Sequence, residues 1–148
     1  MRVIAAAGIG FLLAVLWFDL MFDVQVLGDR NVTAEVRASI AAYYRRVTTT
    51  ARPMNRLVAA AMLVALVAVI GEIVRGDVQP WVGYASLVLT AGAIGVAAVR
   101  TVRNAVRLGT QNDPPAHQTV LARMILRDHL VCFVAVACTL ILQVVSPR

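Results

Sequence analysis

Lysine is absent from this chain of 148 residues: all fourteen basic residues are arginines, against eight acidic ones, and the formal net charge is +6. A basic balance of this size can mark a nucleic-acid binder. Membrane proteins, however, also gather basic residues in their cytoplasmic loops, and no nucleic-acid partner is expected here. The exclusive use of arginine follows most simply from genomic base composition, with head-group binding by planar guanidinium groups as the lesser reading. Cysteine is scarce. Cys132 and Cys138 stand six apart, about 240° around one helix, so they cannot bridge each other. The absence of Cys-x-x-Cys argues against a thiol–disulfide membrane reductase. Of the two histidines, His117 falls in a polar connection and His129 in an apolar block, which argues against a bis-histidine haem. There is no glycine-rich phosphate loop and no serine-nucleophile motif.

What is present is apolar sequence in long blocks. Apolar residues make up 60% of the chain and charged residues 15%, against roughly 45–50% and 25% in a soluble domain. Residues 3–18, 57–71 and 78–99 carry no charge, and 129–147 hold at most a histidine. A span needs about 20 mostly apolar residues. The last two blocks reach that length outright, and the first two reach it by tolerating Asp19 and Glu72. A soluble helical protein would show polar outer faces at helical period, and the later three blocks have none. The expected fold is all-α: a single polytopic membrane domain of four transmembrane helices in an antiparallel bundle. The spans are expected at about 3–26, 56–75, 79–100 and 119–146, the last with an extension from about residue 114. The opening stretch has no small-x-small cleavage site after its apolar run, so it reads as a retained helix rather than a signal peptide.

Arginines set the expected orientation. Arg30, Arg37, Arg45, Arg46, Arg52 and Arg56 lie between the first two blocks; Arg100, Arg103, Arg107, Arg123 and Arg127 lie between the last two. Only Arg2, Arg75 and Arg148 fall elsewhere. By the positive-inside rule both termini and the 76–80 turn face away from the cytoplasm, and the expected location is a bacterial cell inner (plasma) membrane. Between the first two spans, after Gly28 and Asp29, Thr33 can cap a short amphipathic cytoplasmic helix with Glu35 in its first turn. Val36, Ile40, Tyr43 and Val47 form its apolar stripe. Such a helix lies on the membrane or packs beside the bundle, and Pro53 separates it from the second span. Asp113 can cap the last helix with Pro114 at its first position, giving a helix of about 48 Å that projects past the bilayer. Asn31 opens a weak glycosylation match on the cytoplasmic side.

Few polar groups fall inside the spans. Asp19 and Asp23 share one helix face near the cytoplasmic edge, where an acid costs less than the roughly 2.5–3.5 kcal/mol of mid-membrane. The topology brings Arg56, Arg100, Arg103, Arg127 and His129 to the same depth, along with Asn55. The leading reading is structural, carboxylate–arginine pairs that fix helix register. A proton-handling pair of Asp19 with His129 is the alternative. No metal site and no cofactor are expected, because diiron bundles need Glu-x-x-His motifs and more acids than are present. On the last helix His129, Cys132, Val136, Thr139 and Gln143 share a face that should point inward. On the second, Ala61, Ala65, Ala68 and Glu72 do. Glu72, Tyr84 and Gln143 form an outer-side polar group, while Trp81 and Tyr84 suit an interfacial aromatic belt.

In layout the chain resembles the small four-helix membrane proteins grouped with the anthrone oxygenases. That resemblance is one of size and span count; it implies an enzyme alternative and transfers no site residue. The residues favour a non-catalytic accessory or interaction subunit of a membrane complex, with another membrane protein or a homo-oligomer as partner. Anionic lipid head groups would contact the cytoplasmic arginines. The alternatives are a small membrane-embedded oxidoreductase acting on a lipophilic substrate, and a proton-coupled transporter component using Asp19 and Glu72.

Overall fold

The computed structural model describes residues 1–27 and 32–146, apart from the side chain of Arg52. The expectations for Gly28, Asp29, Arg30 and Asn31 lie outside the described residues. Helix α1 covers Arg2–Asp23 and runs on through a tight turn at Val24–Val26. Helix α2 is Ala34–Arg45, followed by a wider helical turn at Arg46–Thr50. Helix α3 is Arg52–Arg75, α4 is Pro80–Val96, α5 is Val102–Thr110 and α6 is Pro115–Val145. No strand occurs among the described residues. Four helical segments are long and apolar enough to cross a membrane: Arg2–Val26, Pro53–Arg75, Pro80–Thr110 and Pro115–Val145. The architecture is the all-α, four-span one that the apolar blocks imply.

Helix ends follow local chemistry. Thr33 caps α2 by accepting a hydrogen bond from the Val36 amide at 3.3 Å. Pro53 and Pro80 sit in the first turns of α3 and α4, where a missing N–H costs nothing. Gly76 closes α3 at φ 66°, and the Asp77 amide returns to the Glu72 carbonyl at 3.0 Å, a glycine-closed end that satisfies the last carbonyls. At the far end of α6 the Arg2 side chain donates to the carbonyls of Gln143, at 2.7 Å, and of Ser146.

One local expectation is corrected. Helix α6 starts at Pro115, not Pro114, and Asp113 does not cap it. Its carboxylate instead takes a two-pronged contact from Arg107, both distances 2.7 Å, and lies 3.5 Å from His117. The connection expected after residue 100 is also largely helical. Helix α4 passes through a wide turn at Ala97–Thr101 into α5, so Arg103 and Arg107 ride on a helix.

The bundle closes as a ring in which α1 packs on α3 and α6, and α4 packs on the same two helices. Alanines let the backbones approach: a Cβ at Gly8 would lie 3.3 Å from the Ala65 Cβ. Ala5, Ile9, Ala65, Ala68, Val69 and Val136 form this core. A second core at the arginine-rich end joins Leu20, Ile40, Tyr44, Leu108 and Ile125. It exists because α2 docks on α5, and that docking depends on Gly109. A Cβ there would stand 2.9 Å from the Arg45 amide nitrogen and 3.0 Å from its Cα, and backbone cannot yield as a side-chain tip can. The outward faces carry Val3, Trp17, Phe18, Leu63, Val74, Val88 and Val144 exposed, as lipid contact requires. Trp81 and Tyr84 are also exposed.

Candidate functional site

The two carboxylates of α1 meet α2 and α6 where the second core begins. Asp23 is fully used. Its Oδ1 accepts from the Tyr44 hydroxyl at 2.5 Å and its Oδ2 lies 2.6 Å from His129 Nδ1. Tyr44 also comes within 3.4 Å of that ring nitrogen. Asp19, one turn earlier on the same face, accepts from the Tyr43 hydroxyl through Oδ1 at 2.6 Å. Its Oδ2 faces His129 Nε2 across 3.8 Å, too far for a direct hydrogen bond. The histidine thus stands between two acids, bonded to one and facing the other. The Tyr43 ring stacks on Phe22 at 4.0 Å between centroids, which holds the hydroxyl in line with Asp19.

Burial raises the pKa of both phenols above the ordinary value, and the nearby carboxylates add to the effect. Both hydroxyls are therefore hydrogen-bond donors over the whole physiological range. Among the described residues no group of three or more His, Cys, Asp or Glu side chains converges as metal ligands.

Beside this cluster lies a cavity of about 400 Å³ inside the bundle. Asp19, Tyr43, Tyr44, His129, Thr48 and Asn55 supply polar groups to its wall. The rest is mostly apolar, from Leu12 and Leu16 on α1 to Met62 on α3, Ala93 on α4 and Val136 on α6. Both wide helical turns border it, through Val47 and Thr48 in one and Ala97 and Thr101 in the other. Such turns recur at functional sites because they re-aim side chains without ending the helix.

The expected carboxylate–arginine pairing is corrected. Asp19, Asp23 and His129 do come together, but among the described residues no arginine joins them. Arg100 pairs with Asp128 at 3.1 Å. Arg56, Arg103 and Arg127 are exposed and make no ion pair among the described residues. Equal depth is not contact: long arginine stems carry their charge out to the head-group region, whereas a buried acid takes the nearest donor on a facing helix. The two tyrosines that do the pairing lie on the amphipathic helix. Their signal in the sequence is the pair Tyr43–Tyr44, with Tyr43 on the apolar stripe.

At the opposite end Glu72 is buried, and the Gln143 amide donates to its Oε2 at 2.9 Å and approaches Ser86 Oγ at 3.3 Å. Glu72 Oε1 and Gln143 Oε1 are buried without a hydrogen-bond partner among the described residues. Tyr84, expected in this group, points outward instead. The inward polar face of α6 is as expected: His129, Cys132, Val136, Thr139 and Gln143 are all buried.

Comparison with known proteins adds one relationship. The family described as SHR3 chaperone, ER membrane protein SH3, matches residues 2–146, and the chain belongs to it. No curated protein and no solved structure matches significantly. The family overturns the bacterial inner-membrane location, because it is one of ER membrane proteins and points to the endoplasmic reticulum. The arginine asymmetry could not separate the two, since it reports which loops stay in the cytoplasm and not which membrane is crossed.

Proposed function

We propose, from the chain's membership of the SHR3 chaperone family, that it is a non-catalytic subunit that associates with another membrane protein inside the endoplasmic reticulum bilayer. The observation that carries this reading is the extent of the match. Residues 2–146 take in every span, so the chaperone-like relationship belongs to the bundle itself. The geometry supports it: Asp23 spends both oxygens on structural partners, and the outward surface is apolar. On α3, Leu63, Val67, Ile70 and Val74 are exposed at a spacing that forms one row along the helix. Arg56, Arg103 and Arg127 are free to meet anionic head groups.

Photo-crosslinking from position 67 in native membranes tests this reading. Adducts with other membrane proteins, or with a second copy, are expected; adducts with lipid alone would contradict it. One observation favours a second reading, an enzyme acting on a lipophilic substrate: the cavity opens against Asp19 and His129. Turnover of an added lipophilic substrate by the purified chain, lost in Asp19→Asn, would favour that reading over the first.

A further inference from the structure

The cavity has a polar end and an apolar body, and at the polar end one carboxylate oxygen accepts no hydrogen bond among the described residues. Asp19 Oδ1 is taken by Tyr43, while Asp19 Oδ2 makes no hydrogen bond among the described residues and stands 3.8 Å from His129 Nε2. His129 Nδ1 is committed to Asp23. In the neutral ring that carries its proton on Nδ1, Nε2 is an acceptor. Two acceptors then face each other across a gap that a donor can bridge. In the doubly protonated ring Nε2 is itself a donor toward Asp19 Oδ2, so the bridged arrangement is that of the neutral ring.

Depth gives the ligand its shape. Asp19 lies four residues before the end of α1, near the arginine-rich boundary, and Leu12 lies seven residues deeper. At 1.5 Å per residue the cavity follows α1 inward for about 10 Å, roughly two-thirds of the 15 Å that one leaflet's hydrocarbon occupies. A volume of about 400 Å³ falls in the range of small-molecule sites, roughly 300–1,000 Å³.

From this geometry we infer that the cavity binds a single-chain lipid amphiphile with a cationic amine head, the head donating to Asp19 Oδ2 and His129 Nε2 and the chain lying along Leu12, Ala93 and Val136. A fatty-acid head would bring a third carboxylate to the cluster and is rejected. The inference goes beyond the accessory role and does not depend on it, since it requires no protein partner.

The test uses the full chain, purified and reconstituted in nanodiscs. It is exposed to a long-chain primary amine carrying a mid-chain diazirine, or to a fatty acid with the same chain and diazirine. After irradiation, adducts are mapped by peptide mass spectrometry. The amine should label residues around Leu12, Ala93 and Val136 about tenfold more than the acid does, as a charge-assisted contact requires. Ala93→Trp should abolish this labelling, while Val131→Trp, on an exposed position, should leave it intact. Asp19→Asn should bring the amine and the acid to parity inside the cavity, which keeps the test valid if the tryptophan variant fails to fold. Adducts confined to lipid-facing residues such as Val131 and Val134, or equal cavity labelling by the two probes in the unsubstituted chain, would overturn the inference.

Discussion

The two ends of the bundle solve the same problem differently. Each buries acid in a region that lacks water. At the termini end, Glu72, Ser86 and Gln143 come from the spanning helices α3, α4 and α6. There the Gln143 amide closes the group directly, and two oxygens go without a hydrogen bond among the described residues. At the arginine-rich end, two of the donors come from α2, a helix outside the bundle. Helix α2 reaches over the ring and holds Asp19 and Asp23 from above, and the space beneath it remains open as the cavity. The cluster closed by an outside helix keeps room for a guest; the other is closed by side chains of the bundle's own helices.

The comparison is broken most severely at Asp23. Asp23→Leu leaves His129 and Tyr44 buried without their acceptor and should cost roughly 3–5 kcal/mol, read as a lower unfolding midpoint in detergent. An unchanged midpoint would show that the cluster contributes nothing. Next comes Gly109→Ala, which forces α2 away from α5. It should cost about 1–3 kcal/mol as an overpacked contact and raise amide hydrogen exchange in residues 34–45; unchanged exchange there would separate α2 from Gly109. Glu72→Gln sharpens the contrast from the other side. Glu72 makes no direct ion pair among the described residues, so the neutral isostere should change stability by less than about 1 kcal/mol. A loss as large as that of Asp23→Leu would show that the two ends are alike.

Much of the fold was legible because bilayer physics is simple: apolar blocks of span length, proline starts and a glycine stop place the helices. The inward face of α6 followed from the spacing of His129, Cys132, Val136, Thr139 and Gln143. That Asp19, Asp23 and His129 meet at one end of the bundle was legible for the same reason. Their partners were not. Pairing arginines with acids at equal depth ignores the reach of the guanidinium stem, and only the tertiary docking of α2, through Gly109 against Arg45, brings Tyr43 and Tyr44 to the carboxylates. The wide turns that border the cavity carry no glycine or proline, so no residue type announced them.

The smallest effect lies outside the bundle. The Arg107 hydrogen bond holds the Asp113 carboxyl below its ordinary value of 3.8. A lowered folded value contributes stability that is present above that ordinary value and is lost as pH falls through the depressed one. Asp113→Asn should therefore lower the unfolding midpoint slightly at neutral pH and leave it unchanged well below about pH 4, since an exposed pair of this kind contributes little. A loss at neutral pH as large as that of Gly109→Ala would refute this ranking.

The central claim is that α2 is fastened to the bundle through its tyrosines. A double-mutant cycle of Tyr44→Phe and Asp23→Asn, followed by reversible unfolding in detergent, measures that fastening directly. Coupling of about 1–3 kcal/mol between the two positions is expected for a buried hydrogen bond to a carboxylate. Additive losses, with coupling near zero, would mean that the contact does not hold the helix in place.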